Sequence, residues 1–176
     1  NHKIIITGTT CTGKTTLGKK ISKEFGITQI DLDDLHFLPN WVEKDKDTFV
    51  KDVTAETKKH QKWIVTGSYQ SLLKDTIWQD ATLIVWLDYP LNVILRRYFV
   101  RTYRRVFLKE KCCGENYETL GKTFSKESLF LWIFKTYWYR KRRMVDWKEN
   151  LFSHKEWLVL NTPKEEKKLR KFIYDN

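Results

Sequence analysis

Two glycines, a lysine and a run of hydroxyls lie close together near the start of the chain: Gly8-Thr9-Thr10-Cys11-Thr12-Gly13-Lys14-Thr15-Thr16. The spacing fits G-x-x-x-x-G-K-[ST] in full, and the chemistry of that pattern is the capture of phosphate groups. Glycines let the backbone curl until successive N–H groups point inward at phosphate oxygens. A helix opening at Lys14 adds the partial positive charge of its N-terminus. Lys14 brings a compact cation to the β- and γ-phosphates. The Thr15 hydroxyl is the kind of oxygen that Mg2+ prefers, and Thr16 is suited to the α-phosphate. Gly8 to Thr16 thus read as the lining of a nucleoside triphosphate site. Cys11 sits near the expected helix N-terminus, where a thiol pKa falls, or it is only a small spacer.

Three further groups could act on a second substrate. Asp31-Leu32-Asp33-Asp34-Leu35-His36 follows an apolar run. A carboxylate there could accept a proton from a substrate hydroxyl or hold Mg2+ through water. Asp33 is the first choice, Asp31 and Asp34 the second; the alternative is that these acids cap a turn and a helix. Gly67-Ser68-Tyr69 follows the next apolar run. There a glycine lets a substrate approach the backbone, or simply makes a turn. With Asp33 and His36, these three residues are expected on the acceptor side. Arg97, Arg101 and Arg104 recur at three- and four-residue spacing and share one helix face. Planar guanidinium groups there could clamp the oxygens of a transferring phosphoryl group, or form a solvated basic face.

The elements that must position these groups alternate. Lys3–Thr7, Thr28–Leu32, Trp63–Thr66, Thr82–Leu87 and Glu156–Leu160 read as strands. Helices are expected over Lys14–Phe25 with Gly26 as C-cap, over a polar Thr48–His60, and from Pro90 towards Leu108. Others are expected from Ser125 to about Val145, and after Thr162-Pro163-Lys164-Glu165, which reads as a capping box with Pro at the first turn. Cys112 to Thr123 breaks the pattern. Strands separated by helices require parallel pairing with crossovers, hence a three-layer α/β/α fold on a five-stranded sheet. One domain over 1–176 is expected, with a lid at about 97–140.

The remaining features bound the function. The chain has 176 residues and a formal net charge of +11, which favours anionic partners without choosing among them. Three cysteines, two of them adjacent, suit neither a disulfide framework nor a paired zinc site, and a reducing cytoplasm is expected. No signal peptide is read in Asn1-His2-Lys3-Ile4, and no run reaches the about 18 to 20 apolar residues of a membrane span. Leu129 to Arg143 interleaves Trp132, Phe134, Tyr137, Trp138 and Tyr139 with Arg140-Lys141-Arg142-Arg143. Leu129, Trp132, Ile133, Thr136 and Tyr137 form a stripe that either packs as core or stacks on nucleic-acid bases.

With these pieces in place, the chain resembles the adenylate-kinase-like P-loop proteins labelled DNA topology modulation proteins. The resemblance rests on the P-loop, Leu32-Asp33, Pro39-Asn40-Trp41, Trp63–Tyr69, Trp86-Leu87-Asp88-Tyr89-Pro90, Arg97 and Arg101, and Leu131-Trp132. It implies a nucleoside-kinase-type fold with strand order 2-3-1-4-5 and a lid, similar in layout to shikimate, gluconate and adenylate kinases. It further implies that a base lies near a lid arginine and the loop Asn161-Thr162-Pro163. The chain departs from relatives at Thr66, where they often carry an acid, at Ser68, and at Tyr117. It lacks Asp-Gly-Phe-Pro-Arg and the four zinc cysteines of some adenylate kinases. The resulting expectation is an ATP- and Mg2+-dependent phosphotransferase acting on a small molecule or nucleotide. Lys14, Asp33, Arg97 and Arg101 would be catalytic, and Thr15 would hold the metal. The alternatives are a nucleic-acid end kinase, or a nucleotide-dependent nucleic-acid-binding regulator with weak ATPase activity.

Overall fold

The computed structural model describes residues 2–108 and 129–176. Five strands form the main sheet: Lys3–Gly8 (β1), Thr28–Asp31 (β2), Trp63–Thr66 (β5), Leu83–Leu87 (β6) and Glu156–Leu160 (β7). Phe37–Leu38 (β3) and Val42–Glu43 (β4) form a small antiparallel hairpin apart from it. The sheet order is β2-β5-β1-β6-β7 and every pairing is parallel. Counted in chain order, its five strands run 2-3-1-4-5, as the resemblance implied. The helices are Lys14–Phe25 (α1), Leu32–His36 (α2), Lys46–Lys58 (α3), Gln70–Leu73 (α4), Ile77–Asp80 (α5), Leu91–Phe107 (α6), Leu129–Asp146 (α7) and Glu166–Asp175 (α8).

Parallel strands covered on both faces must be apolar throughout. Ile4-Ile5-Ile6, Trp63-Ile64-Val65 and Leu83-Ile84-Val85 meet that demand, and all nine are buried. Alternation then divides them between two cores. Ile4, Ile6, Ile64 and Val85 face Leu17 and Ile21 of α1, Ile94 and Tyr98 of α6, and Leu169 and Ile173 of α8. Ile5, Val65 and Ile84 face Phe49 and Val53 of α3, Ile77 and Trp78 of α5, and Met144 at the end of α7. The helix α7 serves both cores, because its Ile133 and Tyr137 belong to the first. No described helix is long and apolar enough to cross a membrane.

Several sequence expectations are corrected. The second strand stops at Asp31, not Leu32, because the Asp31 carboxylate accepts from the Asp33 N–H at 3.2 Å and opens α2. Asp45 caps α3 in the same way, accepting from Thr48 N–H at 2.9 Å, so that helix begins at Lys46. It is not wholly polar, since Phe49, Val53 and Thr57 form a buried stripe. The expected capping box at Thr162 does not close. Pro163–Glu165 makes a 3-10 turn, the Thr162 side chain caps nothing, and Glu165 reaches past it to the Asn161 N–H at 2.8 Å. The predicted helix start at Ser125, the break over Cys112 to Thr123 including Tyr117, and the middle of the lid lie outside the described residues.

One close approach sets the distance of α1 from the sheet. A methyl group on Gly18 would sit 2.6 Å from Thr66 Cγ2 and 3.0 Å from Gln29 Nε2. Thr66 is buried and its hydroxyl accepts from Gln29 at 3.1 Å, so neither neighbour can withdraw. Gly18→Ala, which helix propensity alone would favour by about 1 kcal/mol, is expected instead to destabilise by about 1–2 kcal/mol. Thermal unfolding checks this, and adding Thr66→Ser, which removes Cγ2, should restore part of the loss.

Candidate functional site

The loop between β1 and α1 lies at the carboxyl edge of the sheet, where open α/β sheets bind ligands. Its curl requires a left-handed backbone at Cys11 (φ 61°) and Gly13 (φ 88°). The left-handed backbone favours glycine at position 13, and a Cβ there would also lie 2.7 Å from Arg97 Nη1, so the guanidinium would have to shift. The Thr12 hydroxyl turns inward and donates to Thr9 O at 2.7 Å. Gly13 caps α1 without a side-chain acceptor, and the first turn carries no acid. The first N–H groups of the helix are thereby left for a ligand. Thr15 is half-buried and Thr16 is exposed. Thr10 lies beside Cys11, its hydroxyl 4.0 Å from the thiol sulfur.

Lys14 turns back over this loop. Its ammonium donates to Gly8 O and Thr9 O, each at 3.0 Å. Burial pulls its pKa from 10.5 down to about 8, with Asp33 and Cys11 opposing the shift and Arg140 and Arg101 adding to it. Asp33, Arg101 and Arg140 are therefore within electrostatic reach of the Lys14 ammonium. Ser68 joins the same point from β5, its hydroxyl donating to Gly8 O at 2.8 Å.

The acidic side is built by the cap of α2. Burial raises Asp31 from 3.8 to about 6, and the neighbouring Asp33 carboxylate adds to the shift. A hydrogen bond with the Thr15 hydroxyl opposes it. Asp33 accepts from the Tyr69 hydroxyl at 2.9 Å. Asp34 is exposed. His36 is buried among the rings of Phe37, Phe49 and Tyr69, with Nε2 3.6 Å from Glu43. Gly67 makes its close approach to Leu32, whose Cβ would lie 2.7 Å from an added methyl. The Thr66 hydroxyl is spent on Gln29.

Arg97 and Arg101 of α6 part company. Arg101 acts on Lys14. Arg97 lies against the outer side of the loop, donating to Thr12 O, stacked 5.1 Å over the Tyr89 ring and 4.0 Å from Glu166. Arg104 is exposed. Asn161 and Thr162 are also exposed, in the turn that leads into α8 and Glu166.

Sequence reasoning missed Arg140. It stands between Tyr137 and Met144, both buried, and its own side chain is half-buried. The signal was present: Ile133, Tyr137, Arg140 and Met144 follow one helical stripe, with a cation where an apolar residue belongs. Arg140 donates to Ser68 O at 3.3 Å and lies 4.7 Å from the Trp132 ring. Trp132 itself is 38% exposed, so the expected stripe is corrected: this ring covers the arginine and is not core.

The AAA domain family matches residues 4–119. No curated protein matches the chain. Shikimate kinase from Acinetobacter baumannii, solved with shikimate, is 15% identical with a TM-score of 0.55, covering 98% of this chain and 93% of its own. Shikimate kinase from Bacteroides thetaiotaomicron is 15% identical with a TM-score of 0.53, covering 97% of each chain. A sugar kinase from Janibacter sp. HTCC2649 is 16% identical with a TM-score of 0.51, over 98% and 93%. At such identities the likeness concerns the fold. The chain belongs to the AAA domain family and has the P-loop NTPase fold seen in these kinases.

Proposed function

We propose that this protein is an ATP- and Mg2+-dependent phosphotransferase that acts on the hydroxyl group of a small molecule. The observation that carries this reading is the convergence on one point of a phosphate lysine and a carboxylate. Lys14 lies over the loop carbonyls, and Asp33, within its electrostatic reach, is oriented by Tyr69. Holding a nucleotide needs only the first; transfer to a hydroxyl also needs a base or orienting group on the acceptor side. We also group the chain, on the stretches that carry the resemblance, with the DNA topology modulation proteins. We treat 1–176 as one catalytic unit, closed by a lid at about 97–140.

In this reading the loop amides and Lys14 bind the phosphates, and Asp33 orients or deprotonates the acceptor hydroxyl. Arg101 stabilises charge on the moving phosphoryl group. Arg97, stacked on Tyr89 near the start of α8, belongs with Asn161 and Thr162 beside the nucleoside. Ser68, Tyr69, Gly67 and His36 wall the acceptor side. The residues fit a divalent cation. Asp31, bonded to the Thr15 hydroxyl, is held up at about 6 by burial and by the neighbouring Asp33 charge, a cost to its ionised form that a hard cation relieves. Thr15 would hold Mg2+, with Asp33 reaching it through water. When bound, the ion neutralises phosphate charge. Positioning and electrostatics by these side chains supply the rest.

ADP release with Mg-ATP against a panel of alcohols, sugar acids, nucleosides, nucleotides and short oligonucleotides tests the reading. A response to small molecules supports it; a response to oligonucleotides alone, or a flat panel, overturns it. Lys14→Ala is expected to abolish nucleotide binding with the fold intact by circular dichroism. Asp33→Asn is expected to keep ATP affinity while transfer falls about 10²- to 10⁴-fold, measured as separate Kd and kcat.

Two pH effects follow. Free Lys14 titrates at about 8, and bound phosphates raise it, so binding above pH 8 takes up a proton. ATP affinity should then fall by up to about tenfold per pH unit between pH 8 and 10, readable by calorimetry. Asp31 has the opposite bearing on stability. Its folded pKa of about 6 exceeds the ordinary 3.8, so the folded state holds an extra proton between those values. The stability this contributes is complete below about pH 4 and lost as pH rises through 6. Asp31→Asn keeps the cap on α2 and should raise Tm at pH 7 by about 2–4 °C, with the gain vanishing near pH 4.

A further inference from the structure

The run Arg140-Lys141-Arg142-Arg143 is not a uniform solvated face. Arg142 is exposed, whereas Arg140, Lys141 and Arg143 are half-buried. They line a cleft with Gly8, Asp88 and Tyr89, so three cations meet one carboxylate there. That carboxylate is already engaged, since Lys141 holds Asp88 at 2.9 Å. Among the described residues the two arginines bond neutral groups: Arg140 donates to Ser68 O, and Arg143 donates to Ser71 Oγ at 3.1 Å. Arg143 Nε is buried and finds no acceptor among the described residues. Buried donors are rarely left unmet in a native protein, and an orphan of this kind points to a missing ligand.

The arginines are also held ready. Arg140 lies against the Trp132 ring, and Arg143 lies 5.5 Å from the ring of Tyr139 and 6.0 Å from that of Trp147. Stacking immobilises the guanidinium plane and leaves its N–H edge for an oxyanion. Burial and the neighbouring Arg143 together bring Arg140 down to about 10, so the pair is electrostatically costly as it stands. The row has a direction. Arg140 is tied to Ser68, whose hydroxyl meets Lys14 at the Gly8 carbonyl, while Arg143 is tied to Ser71 on α4, farther along the acceptor side.

We infer that Arg140 and Arg143 form an anion subsite on the acceptor side of the cleft, and that the acceptor is a hydroxylated carboxylate or phosphate ester. The identification of this anion as the acceptor's rests on the phosphotransferase reading; the subsite itself does not. One ligand chemistry serves both sources, because carboxylate and phosphate each accept two parallel N–H bonds from a guanidinium.

Calorimetry separates the possibilities. Protein saturated with Mg2+ and a non-hydrolysable ATP analogue, which occupies the loop, is titrated with inorganic phosphate, D-glycerate and glycerol. Binding of phosphate or glycerate but not glycerol is expected, with the tighter of the two naming the anion. Arg143→Gln should weaken that binding roughly tenfold or more and leave the Kd of the ATP analogue unchanged. Arg143→Lys, which keeps the charge and loses the planar fork, should fall between, and it guards against a Gln variant that fails to fold. Equal anion binding by wild type and the Gln variant, or no anion binding by wild type, overturns the subsite. So does an equal loss of ATP-analogue affinity, which would assign the arginine to the nucleotide. Anion binding with a flat turnover panel would remove the phosphotransferase reading and leave the subsite standing. Turnover of neutral alcohols without anion binding would do the reverse.

Discussion

The charge on Lys14 is the constraint around which the rest is arranged. Burial alone disfavours an ammonium, and here burial is the largest influence on it. The protein answers with two carbonyl oxygens at 3.0 Å and the Asp33 carboxylate. Both carbonyls come from the loop that the lysine itself follows, so the cation holds the curl closed from within. A lysine compensated by carbonyls and a neighbouring carboxylate remains ready to exchange them for a ligand with more negative charge.

That arrangement depends on the sheet. The Gly8 carbonyl is available because β1 ends there, in the centre of the sheet between β5 and β6. Ser68 reaches the same carbonyl because β5 runs parallel to β1 and ends beside it. Asp31 and Asp33 arrive from β2, one strand farther out. Parallel pairing brings all these strand ends to one edge, so residues about 60 positions apart in the chain meet at one oxygen. The close seat of α1 on Thr66 and Gln29, which only Gly18 permits, sets how near the loop stands to that edge.

The fourth contribution comes from α7, which crosses both cores and carries its cations back over the strand ends. Its buried residues fix the rotation of the helix, and that rotation decides which of four consecutive basic residues faces water. Arg142 does so most; Arg140, Lys141 and Arg143 are half-buried. Aromatic side chains on the same helix then brace the arginines, which accounts for the exposed Trp132 and Tyr139 better than a core stripe would.

What the sequence determined by itself was local. The loop from Gly8 to Thr16, the apolar strands and the Gly26 cap each depend on neighbours within a few residues, where type and spacing suffice. The strand order followed from resemblance, and the parallel pairing from the alternation of strands with helices. Tertiary structure alone decided which charged groups share a point in space. It set Arg101 towards Lys14 and Arg97 towards Tyr89, although their spacing puts both on one helix face. It gave the Gly67 approach to Leu32, let Glu165 bypass Thr162 for Asn161, and turned Arg140 inward from a run that reads as solvated. The physical reason is common to these cases. Side-chain partners across a fold are chosen by burial and by the nearest opposite charge or open hydrogen-bonding group, and neither is encoded in the residues next door.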